Sequence, residues 1–150
     1  MTIAGLRYVA LGDSYTIGTA VDDASERWPD QLVAALAAGR SSGPLRLAAN
    51  LGVNGFTSAD VIRVELPRLG ALRPGFVSLL IGVNDVVQGV PEATYAANVS
   101  RILGELLARL PADRIVTVST PDYTVTPSGA DYGDPARQAV EELVVAEDVQ

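Results

Sequence analysis

The sequence predicts an α/β fold: a parallel sheet with helices wound onto both of its faces. Three observations carry this. Short apolar runs alternate with segments of helical periodicity along the chain, which is the signature of strand–helix–strand units. The run at residues 75–81 is almost wholly apolar, as a parallel strand covered on both faces must be. The chain of 150 residues, 48% hydrophobic and 19% charged, suits one domain with a sizeable core.

The elements follow in order. Residues 6–11 form a buried strand, and residues 12–27 a loop. Residues 28–38 form a helix with Pro29 in its first turn, Leu32, Ala35 and Leu36 on one face, and Gly39 at its end. Residues 45–51 are a second strand. Thr57 or Ser58 caps a helix in which Ala59, Ile62, Leu66 and Leu69 recur at helical spacing. Residues 75–81 are the third strand. Residues 91–110 carry the clearest helical stripe, through Tyr95, Val99, Ile102, Leu103, Leu106 and Leu110. Residues 115–119 are a fourth strand, and residues 121–134, rich in Pro, Gly, Ser, Thr and Asp, a long loop. Asp134-Pro135 then reads as an N-cap and first-turn pair opening a last helix, with Ala139, Val140, Leu143 and Val144 turned inward.

Neither internal repeats nor linkers mark a second domain. No strand follows the last helix, so the sheet is expected to lack its final strand. Residues 115–119 would then be an apolar edge prone to pair with a second copy of the chain.

Composition removes several function classes. The net charge of −7 argues against nucleic-acid and anionic-membrane partners, which want clustered positive charge. All 11 basic residues are arginine, and the chain has neither lysine, cysteine nor histidine. Cys and Lys nucleophiles, disulfides and Cys/His metal sites are therefore outside its reach, and no cofactor is expected. No stretch approaches the ~20 apolar residues that span a bilayer. The first residues lack the basic and apolar regions of a secretion signal, which predicts a cytoplasmic chain. The arginines are scattered and read as solvated surface. Trp28 reads as a packing residue at a helix start.

Three polar clusters fall at the C-terminal ends of three predicted strands: Gly12-Asp13-Ser14, Asn50-Leu51-Gly52-Val53-Asn54-Gly55 and Gly82-Val83-Asn84-Asp85. Gly, Asn and Asp gather in turns anyway, but their joint placement on one edge of a parallel sheet is where such folds bind ligands. With residues 9–18 as a first block, Gly52 in a second and Gly82-Val83-Asn84-Asp85 as a third, the chain resembles the GDSL/SGNH hydrolase family up to about Asp134.

The resemblance implies a flavodoxin-like three-layer α/β/α sandwich with strand order 2-1-3-4-5. It implies acyl transfer on a small-molecule ester, with Ser14 as nucleophile. The oxyanion would be met by the backbone N–H of Ser14, the backbone N–H of Gly52 and the side-chain amide of Asn84. Gly12, Asp13, Gly82 and Asp85 would support this set, with Asp13 and Asp85 as loop-organising acceptors rather than acid–base groups. Tyr15, Thr16 and Ile17 would shape the wall beside the nucleophile, and the loop at 121–134, with Tyr123 and Tyr132, would either cover the substrate or serve as a plain connection.

The family's last block, Asp-x-x-His, which supplies the base, is absent. Asp122, Asp131 and Asp134 each lack a histidine three residues on. Its absence coincides with that of a fifth strand, which leaves a truncated or frameshifted C-terminal segment open as causes. The expected function is a serine ester hydrolase of low or no activity. Acyl transfer to a sugar or lipid hydroxyl and a non-catalytic ligand-binding domain remain as alternatives. A receiver domain would want a lysine, and a dinucleotide-binding unit a Gly-x-Gly-x-x-Gly turn.

Overall fold

The computed structural model describes residues 5–38, 45–125 and 127. Gly39 and the helix expected from Asp134 onward lie outside them. Four parallel strands form one sheet: β1 (Leu6–Gly12), β2 (Leu45–Asn50), β3 (Phe76–Leu80) and β4 (Ile115–Thr117), in the order β2-β1-β3-β4. β1 pairs with β2 on one side and β3 on the other, so its backbone is satisfied along both edges. β4 is shorter than its apolar run suggests, although Val118 still donates to the Leu79 carbonyl at 2.8 Å.

The side chains of β1 alternate between two cores, as strand geometry requires. Tyr8 and Ala10 face one side, with Leu45, Leu47 and Phe76. Helix α2 (Trp28–Ala38) covers them with Leu32, Val33 and Leu36. Ala35 is exposed, so the helix packs through Val33 rather than the residue expected. Val9 and Leu11 face the other side, in a larger core with Val77, Leu79 and Ile81. Helix α6 (Glu92–Leu107) covers this face with Tyr95, Val99, Ile102, Leu103 and Leu106, the stripe read from sequence. The three layers are the doubly wound sandwich that the sequence predicts.

The segment beside α6 departs from the expected regular helix. It opens as α3 (Ser58–Asp60), widens to a π turn over Val61–Glu65, tightens to a 3-10 turn over Leu66–Arg68 and ends as α4 (Leu69–Leu72). Pro67 accounts for this: it has no N–H to give and its ring crowds the preceding turn, so the hydrogen-bond ladder must change pitch around it. The change of register buries Val61, Glu65, Leu66 and Leu69 and turns Ala59 outward. Thr57, not Ser58, is the N-cap, in a capping box with Asp60.

Two short helices were not legible as periodic patterns: α1 (Ser14–Ile17) and α5 (Val83–Val87). Each is too short to show a stripe, and each begins at a strand end.

In the α2-side core, the Tyr8 hydroxyl and Ser78 Oγ share a hydrogen bond of 2.6 Å with no exposed surface. Burial pushes the Tyr8 phenol up to about 12, with Ser78 partly opposing the shift. Tyr8→Phe strands the Ser78 hydroxyl in an apolar layer and is expected to cost about 1–3 kcal/mol in urea unfolding. The double variant Tyr8→Phe/Ser78→Ala should cost less than the two single changes summed, because no orphaned group is left.

Candidate active site

The chain turns abruptly where β1 ends. Gly12 has φ +150°, and a Cβ there would lie 2.3 Å from the Leu80 carbonyl oxygen and 2.4 Å from Thr16 Oγ1. Only glycine fits. Asp13, fully buried, caps α1: its Oδ1 accepts from the Tyr15 N–H at 2.9 Å, and its carbonyl accepts from Thr16 and Ile17. Ser14 is the first residue of α1 and is half-buried, and among the described residues its Oγ has no hydrogen-bond partner.

The loop after β2 lies against α1. A Cβ on Gly52 would come 2.7 Å from the Asp13 carbonyl oxygen and 2.8 Å from the Ile17 nitrogen. Asn50 holds the two together: its Nδ2 donates to the Thr16 carbonyl at 2.7 Å while its Oδ1 accepts from the Gly52 N–H at 3.1 Å. The Gly52 N–H is therefore engaged by Asn50 in this state.

The third cluster forms α5 and its cap. Gly82, at φ +135°, turns β3 into α5. Two side chains of α5 and that of its C-cap, Gln88, then clasp the segment that follows Gly52. Asn84 Nδ2 donates to the Phe56 carbonyl at 2.9 Å, and Gln88 Nε2 donates to the Gly55 carbonyl at 2.9 Å. Asp85, fully buried, accepts from the Ser58 N–H at 2.8 Å and from the Ser58 hydroxyl at 2.6 Å, and Asn98 of α6 donates to that same hydroxyl. Asn84 has two amide N–H groups, and its second is uncommitted among the described residues.

Because β1 lies between β2 and β3, these three strand ends are neighbours. The chain passes from β1 to β2 and then crosses to the other side of β1 for β3, so the site sits at the switch point of the sheet.

Buried carboxyls dominate the electrostatics. Burial raises Asp13 to about 6, against the pull of the Tyr15 N–H, and burial raises Asp85 against its Ser58 bonds. Glu65, from the π turn, is also buried; its Oε2 accepts from the Gly12 N–H at 3.0 Å, and burial raises it to about 9. Sequence reading missed Glu65. A signal was present: position 65 falls three residues after Ile62 and four before Leu69, on the apolar stripe. Asn50, Ser58 and Asn98 were also missed as side chains that hold the loops in place.

Beside Gly52 opens a pocket of about 450 Å³ lined by Ile17, Gly18, Thr19, Val21, Arg27, Gly52, Val53 and Asn54. Thr19 Oγ1 and Asn54 Oδ1 are hydrogen-bonded at its rim. Arg27 corrects the reading of the arginines as solvated surface: it is half-buried, its stem covers Gly18, and its Nε is buried without a partner. Arg7 is likewise engaged, donating to the Leu72 carbonyl at 2.8 Å. Of the three residues expected to wall the nucleophile, Tyr15 is exposed and Ile17 lines the pocket, whereas Thr16 is buried beneath Gly12 and Gly52. Trp28 is half-buried at the start of α2. Tyr123 is buried in a 3-10 turn over Tyr123–Val125; Asp131, Tyr132 and Asp134 lie outside the described residues. Among the described residues no cluster of three His, Cys, Asp or Glu side chains is arranged to hold a metal ion, and no helix is long and apolar enough to cross a membrane.

Residues 10–149 match the GDSL-like lipase/acylhydrolase family. Among solved structures, the chain is similar to a lipase/acylhydrolase from Enterococcus faecalis, with 21% identity, a TM-score of 0.74, and 95% of this chain and 70% of that one covered. It is similar to the acetylxylan esterase Axe2 from Geobacillus stearothermophilus, with 19% identity, a TM-score of 0.70, and coverage of 99% and 75%. It is also similar to an SGNH-hydrolase family esterase, AlinE4, with 24% identity, a TM-score of 0.70, and coverage of 99% and 75%. No curated protein matches the chain.

Gly52→Ala forces the 52 loop away from α1 and is expected to destabilise the chain by about 1–3 kcal/mol in urea unfolding. Gly104→Ala is the control: that position lies within α6 with nothing within 4 Å of a new Cβ, and should gain about 0.5–1 kcal/mol.

Proposed function

The chain belongs to the GDSL-like lipase/acylhydrolase family, and from that premise we propose that it is a hydrolase of carboxylic esters in which Ser14 is the nucleophile. The observation that carries this reading is the setting of Ser14. It stands at the N-terminus of α1, half-exposed and with a free Oγ, between the Gly52 loop and α5.

Ser14 Oγ attacks the ester carbonyl carbon and gives up its proton. The carbonyl oxygen takes negative charge, the tetrahedral adduct collapses, and the carbon–oxygen bond to the alcohol breaks with a proton passing to the alcohol. Water then frees the acid from the acyl-serine. The growing oxyanion needs donors fixed in advance. The Ser14 N–H, the second N–H of Asn84 and the Gly52 N–H are the candidates. Gly52 would exchange Asn50 for the oxyanion, and Asn50 would keep its bond to Thr16.

The proton on Ser14 is the weak point of this scheme. None of the 150 residues is a histidine. Asp13, though adjacent in sequence, is turned into the core onto the Tyr15 N–H and is no base for Oγ. In subtilisin, removal of the nucleophile's histidine costs roughly 10⁶ in kcat, and the oxyanion hole with substrate binding retains ~10³–10⁴ over water. This chain alone is expected to act at that residual level. The missing base also favours a second reading, an ester-binding domain that never becomes acylated.

Hydrolysis of p-nitrophenyl acetate tests both. A slow, Ser14-dependent rate that rises with added imidazole is expected, with Ser14→Ala abolishing it and Asn84→Ala lowering it by about 10²–10³. Ester binding without acylation of Ser14, by mass spectrometry, would instead establish the second reading. A rate as fast as an intact serine hydrolase without imidazole would overturn the assignment of a missing base.

A further inference from the structure

Ester cleavage at Ser14 leaves the pocket beside Gly52 without a part in the reaction, although its walls are the two segments that frame the site. Ile17, Gly18 and Thr19, at the end of α1 and just past it, form one wall, and the loop from Gly52 to Asn54 forms the other. The hydrogen bond between Thr19 and Asn54 joins the two walls. They also meet beneath it, since a Cβ on Gly52 would lie 2.8 Å from the Ile17 nitrogen.

Arg27 is the single charged residue among the described residues that line this pocket. Its stem lies on Gly18: a Cβ there would come 2.8 Å from Arg27 Cγ and 3.5 Å from Arg27 Cδ. Gly18, at φ +72°, is the C-cap of α1, and its N–H donates to the Ser14 carbonyl at 3.0 Å. The arginine is therefore seated on the far end of the one-turn helix that begins with Ser14. Helical rise puts Gly18 about 6 Å along the axis from Ser14.

The guanidinium has no counterpart within the protein. Among the described residues it makes neither a hydrogen bond nor an ion pair, and its Nε is buried without a partner. Asp22, Asp23 and Glu26 precede it in the chain, but all three are exposed and none comes within ion-pair distance of it. Asp23 accepts from the Ser25 N–H at 2.8 Å instead. A cation partly stripped of water and lacking a counterion is held at a cost, and an anion entering the pocket removes that cost. The planar fork of arginine matches a carboxylate, which can take two parallel N–H bonds from it. The acidic residues just before Arg27 weigh against a doubly charged group such as a phosphate.

We propose that Arg27 is a specificity-determining residue that binds a carboxylate carried by the ester, about one helical turn from the carbonyl that Ser14 attacks. The proposal rests on the reading of Ser14 as nucleophile for the position of that carbonyl. Two kinds of ester offer this chemistry. Half-esters of dicarboxylic acids carry the charge on the acyl chain, and acylated hydroxy acids carry it on the alcohol. In both, an apolar link suits the walls at Ile17 and Val53, and the charge ends at Arg27.

Calorimetric titration of the Ser14→Ala chain separates binding from turnover. Monomethyl adipate against methyl hexanoate probes the acyl arm, and 5-acetoxypentanoate against pentyl acetate probes the alcohol arm. In at least one arm the anion is expected to bind about tenfold to a hundredfold more tightly than its neutral match. That arm identifies the side of the ester the pocket takes. Adding Arg27→Met, which keeps an apolar stem over Gly18, should abolish the preference. Arg27→Gln carries the same expectation and serves where Arg27→Met fails to fold. Equal binding of anion and neutral match in both arms, or a preference that survives loss of the guanidinium, would overturn the proposal. The two readings fail separately. Without a nucleophilic Ser14, the wild type lacks Ser14-dependent hydrolysis while the binding preference stands; without the Arg27 site, hydrolysis stands and the preference is absent.

Discussion

A side chain at position 12 would collide with the Leu80 carbonyl and with Thr16, and that steric constraint governs the rest of the site. It lets β3 lie against the last residue of β1, and it lets α1 begin two residues later without a connecting loop. Ser14 is left half-exposed at the N-terminus of α1, where the chain turns out of β1. A residue with a Cβ would push β3 and α1 apart together, and with them the neighbouring Gly52 and Asn84.

The turn is held as much by polar satisfaction as by packing. The ends of β2 and β3 carry side chains that answer backbone groups of neighbouring segments: Asn50 joins the 52 loop to α1, and Asn84, Asp85 and Gln88 tie α5 and its C-terminal end to residues 55–58. Buried polar networks of this kind hold one geometry, because any displacement leaves a desolvated group unpaired. These bonds tie the three strand ends to one another. Asp85 and Asn98 extend the network from the sheet edge to the helix packed over the larger core.

Function follows from what this frame leaves open. Among the described residues, Ser14 Oγ and one Asn84 N–H have no internal partner, whereas the Gly52 N–H is already engaged by Asn50. The frame leaves a serine hydroxyl and an amide N–H unengaged, while the 150 residues contain no imidazole to take a proton from that serine. Positioning and activation act together in a serine hydrolase, and under the proposed reading this chain would supply only the first.

Local sequence determined much of this molecule. The apolar runs set four strands, the stripe from Tyr95 to Leu106 set α6, and alternation along β1 set which residues enter which core. The glycines and amides at three strand ends were legible because each was needed where it stood. Tertiary structure decided what depends on contacts between distant segments. One-turn helices such as α1 and α5 show no period, and Pro67 reset the register of the helix around it, so Glu65 came to lie under Gly12, 53 positions away in sequence. A carboxylate on an apolar stripe reads as a surface residue until the fold shows that the N–H it accepts from belongs to the far end of β1.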